Sequence, residues 1–317
     1  MRRFTKFVWF VLVYDVLVVL WGAYVRISFS GDGCGRHWPL CNGELVPHAP
    51  QTKMLVELSH RVSSFGSLVL AAAVLAWAMR AFPRGSAVRR SAAWVLGFTG
   101  AEALIGAGLV LLRLVAHDVS LTRGVSTSLH LTNTLFLLGS LVITARLSSG
   151  AAAPSFRGRG SLGALGGAAL LSTLFVGATG SIAALGDTLF PSHSVAQGLA
   201  QDVSAAAPVF IRLRSIHPFV AVASAVLMFA FATLAPIANK SPATSRFARG
   251  LLVALLAQLG LGVSNIVLLA PTWLQLVHLA TADVVWVMLV LLASSALTAA
   301  ELSASRGEAL AGSPPAR

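Results

Sequence analysis

Long apolar segments alternate with short polar ones along the whole chain. A helix that crosses the hydrocarbon core of a bilayer needs about 20 mainly apolar residues. Eight segments qualify, at approximately 7–28, 54–79, 92–114, 125–146, 161–183, 211–235, 248–269 and 272–299. The pattern predicts an all-α integral membrane protein with eight transmembrane helices. The first segment continues past any plausible cleavage site, so we predict a retained helix rather than a signal peptide.

The composition agrees with a membrane protein. Hydrophobic residues make up 56% of the 317, charged residues only 11%, and the mean hydropathy is +0.80. A net charge of +12 would suit nucleic-acid binding, but Lys and Arg fall in short clusters between apolar segments rather than along one polar face. We therefore predict a lipid bilayer as the environment, no nucleic-acid partner, and cations that set the topology.

Cations cluster at alternate connections, and such clusters mark the cytoplasmic side of bacterial membrane proteins. They are Arg2, Arg3, Lys6, Arg80, Arg84, Arg89, Arg90, Arg146, Arg157, Arg159, Lys240, Arg246 and Arg249. The distribution predicts that both termini are cytoplasmic. The polar segment "GCGRHWPLCNG", at 33–43, is then predicted to lie on the outer side of the membrane.

The chain also repeats itself. "GAYVRISFSGD" (22–32) and "GATGSIAALGD" (177–187) share Gly, Ala, Ile, Gly and Asp at the same offsets, and "EALIGAGLV" (102–110) aligns with "QLGLGVSNI" (258–266). We predict an amino-terminal half at 1–150, a carboxy-terminal half at 151–303 and a cytoplasmic tail at 304–317. An even number of helices per half makes the repeat parallel, so the two four-helix bundles are related by a pseudo-two-fold axis along the membrane normal.

Four histidines follow the repeat. His60 and His217 lie early in the second helix of each half, and His130 and His278 lie early in the fourth. At about 1.5 Å per residue, all four are predicted to lie roughly 9 Å below the outer boundary. A single intramembrane histidine would be interpreted as a core residue whose ring nitrogens are hydrogen-bonded. A pair at one depth in each half instead predicts ligation of a cofactor.

The number of ligands favours heme over zinc. Zinc takes four protein ligands, or three with an open position, whereas heme leaves two axial positions that a histidine pair fills. Each half therefore predicts one heme pocket inside a four-helix bundle. Four glycines would let a flat macrocycle or, equally, a neighbouring helix approach closely: Gly22, Gly106, Gly177 and Gly262.

The halves differ one helical turn before a histidine. Glu57 precedes His60 by three residues and shares its helix face, whereas Arg214 has the same position before His217. A carboxylate in an apolar pocket is suited to accept a proton or to stabilise positive charge, and an ion pair with Arg61 is the structural alternative. An arginine at the outer edge of a heme suits its propionates.

These residues together resemble the heme A synthase family of bacterial plasma membranes and mitochondrial inner membranes. The resemblance covers nearly the whole chain. It is carried by "GAYVRISFSGDGCGRHWPLCNGEL" at the end of helix 1, "ELSHR" in helix 2, "HLTN" in helix 4, "IHP" in helix 6 and "VHLATAD" in helix 8.

The resemblance implies an oxidoreductase that oxidises a ring methyl of heme O to a formyl group, giving heme A for terminal oxidases. It implies that the amino-terminal half holds the substrate heme O on His60 and His130, with Glu57 as the catalytic residue. It implies a heme b cofactor with two histidine ligands, His217 and His278, in the carboxy-terminal half.

The resemblance also implies a disulfide between Cys34 and Cys41, closing a short lid that carries Trp38 over the substrate pocket. The predicted outer location makes a disulfide chemically reasonable, and two free thiols or a transient redox pair are the alternatives. Some relatives carry a second cysteine pair in the corresponding loop of the other half, but 184–210 contains none.

Other polar residues have two interpretations each. Arg26 either snorkels to the outer boundary or contacts a propionate, and Arg61, Arg214 and Trp38 are further candidates for the heme periphery. Asn133 and Asp283 either orient ligands or form hydrogen bonds between helices. Glu102 aligns with Gln258, and the sequence assigns it no role.

Two other function classes use the same four histidines. A two-heme membrane cytochrome would carry electrons from quinol to an outer acceptor, and a heme exporter would bind heme transiently. The cysteine segment beside "ELSHR" and the unequal halves favour the synthase, with a heme O synthase and an unidentified membrane electron donor as its partners.

Overall fold

The computed structural model describes residues 1–45, 47–49, 51–156 and 158–298. That part of the chain contains ten helices: α1 (Arg2–Ile27), α2 (Thr52–Ala81), α3 (Ala87–Leu111), α4 (Leu121–Ser148), α5 (Gly160–Leu189), α6 (Val195–Asp202), α7 (Val209–Arg214), α8 (Ile216–Ala238), α9 (Pro242–Val267) and α10 (Thr272–Ala296). Because α7 and α8 form one span, eight helices are long and apolar enough to cross a membrane. The predicted all-α, eight-span fold is confirmed. Arg157, positions 299–303 and the predicted tail at 304–317 lie outside the described residues.

The spans are helical because a backbone surrounded by hydrocarbon must satisfy its own hydrogen bonds. Because polar residues cap their amino-terminal ends, several helices begin a few residues before the apolar segments that predicted them. α4 begins four residues before the predicted position 125, where the Ser120 hydroxyl accepts a hydrogen bond from the Arg123 amide. The short α6, whose Ser194 cap accepts from the Gln197 amide, lies in a segment predicted to be a loop.

The spans pack as two groups of four. α1 contacts α2 and α4, and α3 contacts α2 and α4, so α1–α4 form a closed bundle. α5, α8, α9 and α10 make the corresponding contacts and form a second bundle. We refer to α1–α4 as the amino-terminal half and to α5–α10 as the carboxy-terminal half.

The two halves meet along α1, α4, α5 and α10. In α4 and α10 half of the most apolar stretch is buried, against at most 33% in the other spans. Trp286 of α10 donates its indole N–H to the carbonyl of Leu135 on α4 at 2.7 Å, and Gly139 leaves room for the ring. The shared core therefore lies between the halves, and the spans outside it leave most of their side chains unburied.

A disulfide joins Cys34 to Cys41, as predicted, and both cysteines are fully buried. We call residues 28–51 the cysteine segment. Its backbone lies so close to the start of α2 that a Cβ on Gly33 would approach the Lys53 carbonyl oxygen to 2.6 Å. The segment therefore packs directly on the helix that carries Glu57 and His60.

Candidate functional site

Each of the four histidines lies against a glycine of the preceding span. A Cβ on Gly22 would lie 2.9 Å from Cε1 of the His60 ring, which is closer than real Cβ contacts. The other three pairs are Gly106 with His130, Gly180 with His217, and Gly262 with His278. In three of the four cases this is the glycine that the repeat indicated.

The glycine beside His217 differs from the one expected. A Cβ on Gly180 would approach Cε1 of His217 to 3.0 Å, whereas one on Gly177 would approach Leu135 of α4 to 3.0 Å. Gly177 aligns with Gly22 in sequence, but it lies against Leu135 of α4, at the contact between the two halves. The α5 register is therefore shifted by about one turn relative to α1 at this point.

The histidines form one pair in each half. His60 on α2 and His130 on α4 belong to the first bundle, and His217 on α8 and His278 on α10 belong to the second. All four rings are half-buried. Each half thus presents two imidazoles to one interior region, which is the ligand set that a heme leaves open. The glycines let each ring pack directly against the preceding span.

The ring nitrogens have different partners. Nδ1 of His130 is in contact with Oε2 of Glu102 on α3. Nδ1 of His217 lies 3.2 Å from the Thr179 hydroxyl on α5, and Nε2 of His278 lies 3.2 Å from Nε2 of Gln258 on α9. Among the described residues, Nδ1 of His60 and Nδ1 of His278 are buried without a hydrogen-bond partner, and the contact of His130 Nδ1 with Glu102 is an ion-pair contact that does not have hydrogen-bond geometry.

Sequence reasoning missed these three partners. Glu102 and Gln258 had been aligned with each other, but neither was assigned to a histidine. The usable signal was that both lie on the span before a histidine span, at equivalent positions of the repeat.

Glu57 and Arg61 fasten the cysteine segment to α2. The Glu57 side chain is buried, and its Oε2 accepts a hydrogen bond from the Cys34 amide at 2.7 Å. Its Oε1 accepts from Nε and Nη2 of Arg61 at 3.1 and 2.5 Å. Nη1 of Arg61 donates to the carbonyls of His37 and Leu40. The ion pair considered as the structural alternative for Glu57 is therefore present, and the catalytic role stays a prediction.

Arg214 has the equivalent task in the other half. It donates to Asp187 of α5 at 2.8 Å and to Asp202, at the end of α6, at 2.6 and 3.1 Å. The residue one turn before the histidine thus fastens the segment between the first two spans of each half, with a carboxylate in one half and a guanidinium in the other. Contact of Arg61 or Arg214 with heme propionates stays a prediction.

Arg26 crosses between the halves. Its Nη1 donates to the Ala184 carbonyl at 2.6 Å and to the Thr188 hydroxyl at 2.7 Å on α5, and its Nη2 lies 3.5 Å from Oε1 of Gln275 on α10. Trp38, in the cysteine segment, is 40% exposed. The hydrogen bonds of Arg26 therefore connect α1 to α5 and α10. Neither interpretation from the sequence included this connection between the halves.

Two further candidates differ in their surroundings. The Asn133 amide donates to Oε1 of Glu102 at 2.7 Å and to the Phe98 carbonyl at 2.9 Å, so it bonds between helices. Asp283 is 1% exposed, and its carboxylate has no hydrogen-bond partner among the described residues.

Comparison with known proteins gives relatives with two names. A Thermus thermophilus protein named protoheme IX farnesyltransferase is 42% identical over 295 residues, which are 93% of this chain and 48% of the relative. A Bacillus mycoides protein named heme A synthase is 41% identical over 113 residues, 35% of this chain and 36% of the relative. A Bacillus cereus protein with the same name is 40% identical over 113 residues, with the same coverage. The chain spans about half, or less, of the length of these curated relatives.

The family comparison covers almost the whole chain, including all four histidines and both cysteines. The model of the family described as "cytochrome oxidase assembly protein", COX15-CtaA, matches residues 5–290. The chain therefore belongs to the COX15-CtaA family.

Proposed function

We propose that this protein is a heme A synthase, which oxidises a ring methyl of heme O to a formyl group. The observation that carries the proposal is the arrangement of the two histidine pairs, one in each half of a chain of the COX15-CtaA family. Relatives named heme A synthase support the assignment. The protein acts within the membrane, with the cysteine segment on the outer side as the cations indicate.

In this proposal the amino-terminal half binds the substrate. His60 and His130 ligate the iron of heme O, and Gly22 and Gly106 leave room beside their rings. The cysteine segment covers the outer end of this half and is held there by Glu57 and Arg61. If both axial positions are filled by protein, the reaction takes place at the edge of the ring.

The carboxy-terminal half binds heme b through His217 and His278. Thr179 and Gln258 hold these two imidazoles, and Gly180 and Gly262 leave space beside them. Bound heme b supplies one-electron transfer. The residues of this half orient its ligands and keep the pocket apolar.

The proposed oxidation requires the protein to remove protons and electrons from the substrate. Counted with water as the oxygen source, conversion of a methyl to a formyl group releases four protons and four electrons, by way of an alcohol and a hydrated aldehyde. Glu57 is the carboxylate nearest in sequence to a substrate ligand, and a proton leaving the substrate region can be accepted there once its bond to Arg61 loosens. The electrons leave through the carboxy-terminal half to a membrane electron carrier.

Supply of the substrate fits a farnesyltransferase as partner. The Thermus thermophilus relative is named for farnesylation of protoheme IX, and this chain matches only 48% of it. About half of the length of that relative has no counterpart in this chain. We propose that the enzyme that farnesylates heme delivers its product directly to this protein.

The test is heme extraction and mass analysis after co-expression with a heme O synthase. The parent is expected to form heme A or its alcohol, Glu57→Ala to accumulate heme O, and His278→Ala to lose heme b. The matched control is His48→Ala, at an imidazole whose side chain is 91% exposed. Arg61→Ala loosens the same segment but leaves the carboxylate, so a larger loss in Glu57→Ala assigns the loss to the carboxylate.

The opposite outcome is equally clear. A folded parent that returns only heme b and unaltered heme O, with both hemes tightly retained, overturns the synthase and favours the two-heme electron-transfer cytochrome.

A further inference from the structure

The four candidate ligands differ in the group that faces the imidazole. Glu102 faces His130, Thr179 faces His217 and Gln258 faces His278. In the part of the chain that the structure describes, the carboxylate at His130 is the one charged group among these partners. This difference separates the proposed substrate pocket from the proposed cofactor pocket.

Glu102 is held in place by α4, the helix that carries His130. Its Oε1 accepts hydrogen bonds from the Asn133 amide at 2.7 Å and from the Thr134 hydroxyl at 3.1 Å. Asn133 is fixed in turn by its bond to the Phe98 carbonyl at 2.9 Å. With Oε1 occupied in this way, Oε2 is left facing Nδ1 of His130.

The carboxy-terminal half contains no copy of this arrangement. The positions that correspond to Asn133 and Thr134, counted from the histidine, are Thr281 and Ala282. The Thr281 hydroxyl donates to the Val277 carbonyl of its own helix at 2.9 Å. Gln258 therefore lacks both the charge of Glu102 and its two side-chain donors.

A carboxylate beside a ligating histidine has two effects. It accepts the Nδ1–H hydrogen bond, which fixes the tautomer and leaves Nε2 for the metal. It also makes the imidazole a stronger electron donor, because a charge-assisted hydrogen bond pulls the proton away from the ring. Stronger donation stabilises the oxidised metal and lowers its reduction potential.

We propose that Glu102 is a positioning residue that directs Nε2 of His130 to the heme iron and lowers the midpoint potential of the heme in the amino-terminal half. The partners in the carboxy-terminal half, Thr179 and Gln258, are neutral and leave the other heme at a higher potential. The difference favours electron flow from the substrate half to the cofactor half. This inference rests on the proposed function, because it takes His130 as an iron ligand.

The experiment is a potentiometric titration of the full-length chain, purified with heme and supplemented with heme B, followed by absorbance and electron paramagnetic resonance. Glu102→Gln is expected to raise the midpoint of the amino-terminal heme and leave the other unchanged. The reciprocal Thr179→Asp, which places a carboxylate beside Nδ1 of His217, is expected to lower the midpoint of the carboxy-terminal heme. His130→Ala and His278→Ala assign each signal to its half.

Several outcomes decide the matter. An unchanged amino-terminal midpoint in Glu102→Gln, or an equal shift of both hemes, overturns the inference. Thr179→Asp keeps the inference falsifiable if Glu102→Gln fails to retain heme, since a carboxylate beside Nδ1 of His217 that leaves the carboxy-terminal midpoint unchanged also overturns it. Glu102→Gln is further expected to weaken heme B binding in the amino-terminal half by about 10- to 100-fold.

Failure of the proposed function is distinguishable from failure of this inference. A parent that makes heme A while Glu102→Gln leaves its potentials unmoved overturns only the role of Glu102. If the parent makes no heme A but the two variants show the expected shifts in midpoint potential, the proposed synthase activity is overturned and the role of Glu102 stands. A parent with no heme in the amino-terminal half overturns both.

Discussion

Glu57→Gln should free the cysteine segment and expose its disulfide. The substitution keeps the size of the side chain but removes the charge that two Arg61 nitrogens and the Cys34 amide surround. A hydrogen bond to a charged group contributes about 1.5–3 kcal/mol, and breaking a buried ion pair costs about 3–5 kcal/mol. Because the amide of Gln keeps one acceptor oxygen, we expect a loss of about 2–3 kcal/mol, which lies in the upper part of the first range and does not exceed the lower end of the second.

The disulfide reports this loss directly. Both cysteines are fully buried, so a soluble reductant reaches the sulfurs only when the segment opens. Since each 1.4 kcal/mol is a factor of ten, the reduction should accelerate by about 30- to 150-fold. The assay follows reduction in detergent micelles by thiol labelling and mass spectrometry over time.

The matched control is Glu44→Gln in the same segment. Glu44 pairs with His48, but the two side chains are 50% and 91% exposed, and such exposed pairs contribute little. Its reduction rate should equal that of the parent. Equal rates for Glu57→Gln and Glu44→Gln would refute the idea that Glu57 fastens the segment.

Two further predictions concern the histidine pairs and the segment between α5 and α7. Gly22→Ala places a methyl group 2.9 Å from the His60 ring, so it should lower heme content per chain, measured by absorbance; Gly100→Ala, with nothing within 4 Å, should leave the heme content unchanged. Arg214→Ala breaks two ion pairs that hold α6 and its flanks, so limited proteolysis between 190 and 208 should speed up. The exposed Arg212→Ala serves as its control, and equal cleavage of the two variants would contradict the proposed clamp.

The sequence was sufficient for the eight spans, because hydrocarbon demands long uninterrupted apolar runs whatever the packing. The internal repeat also indicated that the four histidines lie on the second and fourth spans of each half, whereas their role as heme ligands stays a prediction. The cysteine pair was found through the family resemblance.

The contacts of the histidines could not be predicted in the same way. A span that is apolar on most of its surface does not indicate which face meets its neighbour, so the pairing of Glu102 with His130 depends on the rotation of two helices. The same rotation brings Gly180 rather than Gly177 to His217. The bond from the Cys34 amide to Glu57 has no signature at all, because every residue except proline carries a backbone donor.

The path of Arg26 has a consequence for how the protein is made. Its partners Ala184, Thr188 and Gln275 are synthesised more than 150 residues after it, and α1 also packs against the last span, α10. Until that span has been inserted, a guanidinium near the membrane boundary lacks its full set of acceptors, and an unpartnered charge there is costly. A chain that ends before α5 therefore leaves this cation without these acceptors, and a chain that ends before α10 leaves it without Gln275.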